Sequence, residues 1–328
     1  MGKKSELNSL ITAQLVDKAL TKGRRVKRMV AENNLRDDER NKMAMFWRKG
    51  ENHVLQCVLC PHHCTIDDGE SGRCGVRTNK KGHLTADSYG LVSAIALDPI
   101  EKKPLRRFES GKNILSIGSF GCNLKCPFCQ NHGISLAYKN RRSHHKEMSP
   151  AQVTTMAEAT IPKGNIGVAY TYNEPFVGYE FVLDCAKKVH RLGMKNVLVT
   201  NGFINPLPLG ELMPYIDAMN IDLKCFSNES YKKLGGNLDD VKRTIKIAAD
   251  VAHVEITTLI IPGENDSEEE IDKLTSWLAT INQELPLHLS RFFPAYKCWQ
   301  KETTPIDAMF KLEKVAREHL SVVFLGNV

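Results

Sequence analysis

Residues 111–328 alternate regularly between short apolar runs and helical patterns, and this alternation limits the fold more than any other feature of the chain. The strand-like runs are Ile114–Ile117, Ile166–Tyr170, Val197–Thr200, Ala218–Leu223, Val254–Ile261, Leu287–Phe292 and a final run at Val322–Leu325. Helical patterns follow at about 150–160, 175–192, 208–216, 228–249, 267–283 and 306–320. Because helices separate successive strands, the pattern predicts a parallel sheet with helices on its outside.

Six strand–helix units are too few for a closed eight-fold barrel. The sequence therefore predicts an α/β fold, a partial (β/α)6 TIM-like barrel with an N-terminal helical extension and a small cysteine-rich metal-binding segment. We expect the extension at residues 1–48, the cysteine-rich segment at 49–110 and the barrel at 111–328. In such folds the active site lies at the carboxyl ends of the strands.

Composition and charge exclude several classes of protein. The chain has 328 residues, 42% of them apolar, and contains no run of 18 apolar residues, so no transmembrane helix or membrane partner is expected. The N-terminus lacks the apolar core of a secretory signal, which predicts a cytoplasmic protein. The net charge of +7 is partly concentrated at residues 22–28 and 139–146. Such basic runs are typical of solvated surface, and with no recognised nucleic-acid module beside them we expect no nucleic-acid partner.

Three cysteines directly follow the first predicted strand. Cys122, Cys126 and Cys129 are spaced C-x3-C-x2-C. Thiolates are the usual ligands of iron–sulfur clusters, and three of them leave one iron of a four-iron cluster open to another ligand. A zinc site with His132 as the fourth ligand is the alternative.

A second cysteine set lies upstream, and its four members are Cys57, Cys60, Cys64 and Cys74. Four thiolates close a coordination sphere, which suits structural zinc and equally suits an accessory four-iron cluster that carries electrons. We favour zinc, with His62 or His63 as an alternative to one thiol. The isolated Cys185, Cys225 and Cys298 are interpreted as small core residues.

Polar residues also follow the second and fourth predicted strands. Glu174 comes after the second strand, where its carboxylate suits an ammonium ligand or the start of a helix. Asp222 and Lys224 end the fourth strand and point the same way, because alternate residues of a strand share a face. Such a pair at a barrel mouth suits a zwitterionic ligand, and a structural ion pair is the alternative.

The fifth and sixth strands carry polar residues as well. His253, Glu255 and Thr257 alternate with apolar residues, so they face the barrel interior if the apolar ones pack against helices. Buried polar groups need partners, which indicates a ligand pocket or a polar network. His288 and Arg291 stand similarly on the next strand, and Arg291 suits an anionic substrate group.

These motifs resemble the radical S-adenosylmethionine (SAM) superfamily, whose signature is the C-x3-C-x2-C spacing. Over residues 44–328 the chain is similar to the radical SAM member of the AmmeMemoRadiSam set, which is related to the activating enzymes of glycyl-radical enzymes such as pyruvate formate-lyase. The resemblance is carried by the runs CPHHC, GRCGVR, DPIEKKPL, SIGSFGCNLKCPFCQN, YTYNEP, VTNGF, DLK, HVEITTLIIPGEND, PLHLSRFFP and LGNV.

The resemblance implies a [4Fe–4S] cluster on Cys122, Cys126 and Cys129 that cleaves SAM to a 5′-deoxyadenosyl radical, which removes hydrogen from an unidentified small-molecule or protein substrate. It implies an electron donor such as flavodoxin or ferredoxin. The cofactor contacts that it implies are Phe128 near the adenine, Asn173 and Glu174 at the amino group, Thr200 and Asn201 at the third strand end, and the pair Asp222 and Lys224.

Two other functions stay open. One is an activating enzyme that installs a glycyl radical on a partner protein, although residues 130–150 lack the extra cysteines that such enzymes often carry. The other is a non-catalytic electron-transfer protein with two closed iron–sulfur sites. The family's chain often continues past LGNV into a cysteine pair, whereas this sequence ends at Val328.

Overall fold

The computed structural model describes residues 42–136 and 145–328. The predicted helical extension lies mostly outside this part of the chain. Its described end is extended rather than helical, because Met43 forms a bridge with Thr85 and a strand begins at Trp47. Most of the basic run at 139–146 also lies outside the described residues.

The described residues form one large sheet and several small antiparallel ones. The strands are β1 (Trp47–Lys49), β2 (Leu55–Cys57), β3 (Thr65–Ile66), β4 (Arg77–Lys80), β5 (His83–Ala86), β6 (Leu91–Val92), β7 (Ala94–Pro99), β8 (Asn113–Gly118), β9 (Lys146–Glu147), β10 (Asn165–Tyr170), β11 (Lys195–Thr200), β12 (Ala218–Asp222), β13 (His253–Ile260), β14 (Leu287–Arg291) and β15 (Val323–Gly326). The large sheet has the order β15-β14-β13-β12-β11-β10-β8-β7. All its neighbouring strands are parallel except β7 and β8.

Helices connect the parallel strands. They are α1 (His132–Ser135), α2 (Pro150–Ala159), α3 (Tyr179–Arg191), α4 (Pro206–Leu212), α5 (Asn228–Leu234), α6 (Leu238–Ala249), α7 (Glu268–Ala279) and α8 (Ile306–Arg317). The start of α2 is the capping box expected from sequence, since the Ser149 hydroxyl accepts from the Gln152 amide and the Gln152 side chain accepts from the Ser149 amide. The predicted α/β partial barrel is confirmed, with β7 and β15 as the edge strands of the large sheet.

Two local expectations were wrong. The predicted helix at 228–249 is two helices, because Gly235 adopts a left-handed conformation with φ of 83° and the Asn237 side chain caps α6. Strand β7 was not predicted, although it pairs along its whole length with β8. The sheet therefore begins at Ala94, inside the segment that the sequence assigned to the cysteine-rich part.

The two faces of the large sheet pack differently. Leu115, Val168 and Leu198 belong to the main apolar core together with residues of the surrounding helices. On the inner face, Ile114, Ala169, Val197 and Ala218 pack instead against Ile100 and Leu105 of the loop that joins β7 to β8. This loop closes the end of the sheet where the parallel strands begin, and we call that end the base; the end where they finish is the mouth.

The cysteine-rich segment is anchored to the barrel by a buried ion pair. The Arg77 guanidinium donates to both carboxylate oxygens of Glu180 on α3, at 3.0 and 3.1 Å, and both side chains are 1% exposed. Glu180 also accepts a bond from the Met45 amide at 2.7 Å. Removing one member of such a pair typically costs about 3–5 kcal/mol, so this contact strongly fixes the segment to the barrel.

Candidate active site

The loop that carries the cysteine triad leaves the mouth at the end of β8. The Cys122 sulfur accepts bonds from the Leu124 amide at 3.4 Å and from the Asn201 side-chain amide at 3.6 Å. The sulfur of Cys129 lies 3.3 Å from the Ser135 hydroxyl. Hydrogen bonds donated to sulfur favour the thiolate, which is the form of cysteine that binds metals.

The electrostatics of the triad show that its thiols interact. Burial raises the pKa of Cys122, and the neighbouring Cys126 and Cys129 raise it further. Burial also raises the pKa of Cys126 to about 11, while Lys224 acts to lower it. Among the described residues no set of three His, Cys, Asp or Glu side chains already has the geometry of a metal site. A bound cation would lower the pKa of these thiols, since metal binding deprotonates its cysteine ligands.

The turn after β10 brings Asn173 and Glu174 to the triad loop. The Asn173 side chain accepts from the Ser119 amide at 2.8 Å and donates to the carbonyls of Phe120 and Gly121 at 2.9 and 3.1 Å. Asn173 therefore holds the backbone immediately before Cys122.

Glu174 is 2% exposed, and its carboxylate accepts three bonds. The donors are the Thr200 hydroxyl at 2.6 Å, the Asn201 amide at 2.8 Å and the Phe176 amide at 3.1 Å. Burial raises the pKa of Glu174 to about 7, against the lowering effect of these donors. Burial and the three donors therefore act on the protonation of this carboxylate in opposite directions.

Asn201 joins the end of β11 to the triad loop. Its side chain donates to the Asn123 side-chain oxygen at 2.9 Å, besides its contact with the Cys122 sulfur. Asn123 in turn donates to the Phe203 carbonyl at 2.7 Å. Sequence reasoning missed Asn123, although its position between two triad cysteines was a signal that could have found it.

Asp222 and Lys224 form the expected pair at the end of β12. The Lys224 Nζ lies 2.5 Å from an Asp222 carboxylate oxygen, and their side chains are 17% and 32% exposed. Burial acts to lower the pKa of Lys224, but Asp222 and Cys126 raise it on balance. The electrostatic effect of Lys224 on Cys126 places this pair beside the triad.

The structure separates Glu255 from these groups. Glu255 is the third residue of β13, near the base, and it is fully buried. Its carboxylate accepts from His253 at 2.9 Å, His288 at 2.6 Å and the amides of Arg106 and Arg107 at 3.0 and 2.7 Å. Of the two sequence interpretations, Glu255 and its histidines correspond to the polar network, which ties the base loop to the sheet.

The remaining predicted residues lie in three different places. Thr257 faces inward and donates to the Asn220 side chain at 3.0 Å. Arg291 lies on the face opposite to His288; it donates to the Thr304 carbonyl at 2.7 Å and its guanidinium covers the Phe293 ring at 5.2 Å. Phe128 is buried in a cluster with Ile261 and Phe292 at the mouth.

The second cysteine set abuts the triad loop. The Cys57 backbone amide donates a hydrogen bond to the Cys64 carbonyl at 2.9 Å. Burial raises the pKa of Cys60 to about 12, and the other three thiols of the set act in the same direction. Gly121 is required here, because an added Cβ would lie 2.9 Å from the Cys74 carbonyl. The backbone of Cys74 therefore lies against Gly121, the residue directly before Cys122.

The two histidines of the CPHHC run have other partners. His62 Nε2 donates to the Asn123 carbonyl at 2.7 Å, and His63 Nε2 lies 3.3 Å from the Asn205 side-chain amide. Both histidines therefore contact residues of the barrel loops.

Comparisons with known proteins agree with this arrangement. The family model described as the radical SAM superfamily matches residues 116–275. A protein of Methanocaldococcus jannaschii, described as uncharacterized protein MJ0808, is 38% identical over 288 residues, which cover 87% of this chain and 85% of the relative. The pyruvate formate-lyase 1-activating enzyme of Escherichia coli is 26% identical over 161 residues, 47% of this chain and 63% of that enzyme.

Among solved structures, a radical SAM methyltransferase from Sphaerobacter thermophilus has a TM-score of 0.49 at 16% identity and covers 66% of this chain and 67% of its own. That score is too low to support a functional conclusion. None of the described helices has the length and apolar character needed to cross a bilayer.

The fold and the site define an enzyme class in which a cysteine triad follows the first parallel strand of an α/β partial barrel. The chain belongs to the radical SAM superfamily and is related to the activating enzymes of glycyl-radical enzymes. It is a radical SAM enzyme, and the cofactors of that superfamily are a [4Fe–4S] cluster and SAM.

Proposed function

We propose that Cys122, Cys126 and Cys129 bind three irons of a [4Fe–4S] cluster and that SAM binds the fourth. The observation that carries this proposal is the convergence of Glu174, Asn201 and Lys224 on the triad at the mouth of the sheet. When bound and reduced, the cluster supplies the electron that cleaves SAM to methionine and a 5′-deoxyadenosyl radical. That radical then takes a hydrogen atom from the substrate.

The residues around the triad suggest how SAM is oriented. A carboxylate offers about four acceptor positions, and Glu174 uses three of them internally, so one position is left for the SAM ammonium. Asp222 and Lys224 have the charges to pair with the zwitterionic methionine group or to reach the ribose. Asn173, Thr200 and Asn201 hold the strand ends in place, and Phe128 borders the adenine.

The test is anaerobic reconstitution of the cluster, reduction, addition of SAM and measurement of 5′-deoxyadenosine. The wild-type protein should form this product, and its reduced cluster should change its electron paramagnetic resonance (EPR) spectrum when SAM is added. No product and an unchanged spectrum would contradict the proposal and favour a passive electron-transfer protein.

The substrate is a small molecule or a protein, and an external reductant such as flavodoxin or ferredoxin supplies the electron. Similarity to the E. coli activating enzyme favours one specific alternative, the transfer of the radical to a glycine of a partner protein. A glycyl-radical EPR signal on a co-expressed partner would support that alternative.

For the second cysteine set we propose a structural zinc ion held by Cys57, Cys60, Cys64 and Cys74. Burial raises the pKa of Cys60 to about 12 and that of Cys74 to about 11, and a single divalent ion would favour their ionised forms. Metal analysis should find one zinc and four irons per chain. About eight irons and no zinc per chain would instead indicate an accessory four-iron cluster at these four cysteines.

A further inference from the structure

The run DPIEKKPL places one carboxylate, that of Asp98, on the sheet and two lysines, Lys102 and Lys103, within hydrogen-bond distance of it in the loop after β7. Asp98 lies directly opposite Ile114 in the β7–β8 ladder, and directly opposite residues share a face. Ile114 belongs to the inner-face cluster, so Asp98 also faces inward. Its carboxylate accepts from Lys103 at 2.9 Å and from Lys102 at 3.3 Å.

Tyr172 connects this group to the mouth. It stands directly before Asn173 and has a φ of 71°, an uncommon conformation for an aromatic residue that typically costs about 1–3 kcal/mol. A Cβ added at Gly118 would lie 2.9 Å from the Tyr172 ring, so only glycine leaves room for the ring there. Its hydroxyl donates to Asp98 at 3.1 Å, and the Lys103 ammonium lies 4.9 Å from the ring centre.

Asp98 and Lys103 differ in how much of their hydrogen-bonding capacity is used. Asp98 accepts three bonds, whereas Lys103 donates one bond among the described residues, although an ammonium has three donors. Lys103 is 3% exposed, so water supplies little for the other two. Two N–H groups of a buried cation therefore call for a further acceptor.

The local charge favours an anion as that acceptor. Residues 98–112 contain five basic side chains and three acidic ones. A purely structural ion pair would explain the contact between Asp98 and Lys103. It would not explain the unused donors of Lys103, the excess of basic side chains or the strained backbone of Tyr172. Asp98 keeps 15% of its side-chain surface exposed and Tyr172 is half-buried, so the group borders solvent at these two residues, while the Lys103 ammonium itself is buried.

We propose that Lys103, positioned by Asp98 and Tyr172, binds a carboxylate or phosphate group of a small anionic substrate. The inference rests on the proposed function, because the radical formed at the mouth would act on what is bound below it. A group this far inside the sheet suits a small molecule better than a glycine in the loop of a partner protein.

The test is isothermal titration of the reconstituted protein with inorganic phosphate and, separately, with acetate. We expect saturable binding of at least one probe, and the probe that binds more tightly identifies the anion class. Lys103→Met should weaken that binding by at least about tenfold, whereas Lys103→Arg should keep it within about threefold, since tenfold corresponds to about 1.4 kcal/mol. Lys102→Met is the matched control, because that lysine contacts the same carboxylate but is 66% exposed.

Asp98→Asn should also weaken anion binding, because the Asp98 carboxylate positions the Lys103 ammonium and acts to raise the pKa of Lys103 against the effect of burial. Absence of saturable binding, or equal binding by the wild type and Lys103→Met, would overturn the proposal. These titrations do not depend on SAM cleavage, so their failure is distinguishable from a failure to form 5′-deoxyadenosine.

Discussion

The mouth and the base of the sheet each bury one glutamate, and the two carboxylates have different partners. Glu174 at the mouth accepts bonds from a hydroxyl and two backbone amides, and burial raises its pKa to about 7. At the base, burial also acts to raise the pKa of Glu255, but hydrogen bonds from His253, His288 and two backbone amides lower it to about 2. Both side chains are almost fully removed from solvent.

The difference shows what separates a ligand site from a structural network in one sheet. The base carboxylate already has two imidazole partners, so it stays ionised and fixes the loop that closes the sheet. The mouth carboxylate has neutral donors only, and a cationic ligand would stabilise its ionised form. The two glutamates look alike in sequence, but Glu174 accepts three hydrogen bonds and keeps one acceptor position, whereas Glu255 accepts four.

The largest effect is expected at the triad itself. Cys126→Ala should abolish 5′-deoxyadenosine formation and lower the iron bound per chain, because the cluster loses one of three ligands. Cys185→Ala is the matched control, since Cys185 is a buried cysteine of α3 far from any proposed ligand set in sequence. Full activity and iron content in Cys126→Ala would remove the basis for placing the chemistry at the mouth.

Glu255→Gln should lower the free energy of unfolding by about 3 kcal/mol near pH 7, because a pKa near 2 is about two units below the unfolded value. The folded-state pKa is depressed, so the stabilisation is present above about pH 4.3 and is lost as the pH falls toward 2. Chemical denaturation across this range should show a flatter pH profile for the variant. SAM affinity should change less than about twofold; a larger loss would make the base part of the cofactor site.

Glu174→Gln should weaken SAM binding by about tenfold without removing the cluster, since a hydrogen bond to a charged group contributes about 1.5–3 kcal/mol. In the wild type, SAM affinity should fall as the pH drops below about 7, because protonation of Glu174 removes the negative charge that the ammonium needs. Titrations followed by EPR would measure both effects. Glu229→Gln, at a highly exposed glutamate of α5, is the control. If Glu174→Gln kept the wild-type pH profile, the pH dependence of SAM affinity would belong to another group.

The smallest effect is expected at Arg291. Arg291→Lys should leave SAM affinity within about twofold and cost less than about 1 kcal/mol of stability, because the guanidinium lies on the outer face with a carbonyl and a phenylalanine ring as partners. The same EPR titration and denaturation experiments measure this. A large loss of product at constant SAM affinity would instead restore Arg291 as a substrate contact.

Local patterns predicted most of the fold. The parallel strands stand out because their apolar runs are buried on both faces and are separated by amphipathic helices, as for Val197–Thr200 before Pro206 and Ala218–Leu223 before Asn228. The edge strand β7 did not stand out, because it pairs antiparallel with β8 and its residues are only partly buried. The break at Gly235 was missed, although two successive glycines were a signal for it.

The sequence by itself determined the cysteine triad, its place after the first strand and the polar strand ends, because spacing and strand alternation are local properties of the chain. Tertiary structure alone decided which polar residues are available to bind a ligand and which stabilise the fold. Each glutamate has one partner two residues away, Phe176 or His253, but its other partners lie far along the chain: Thr200 and Asn201 for Glu174, and Arg106, Arg107 and His288 for Glu255. Protonation and free hydrogen-bonding capacity depend on these distant partners, and no local pattern specifies them.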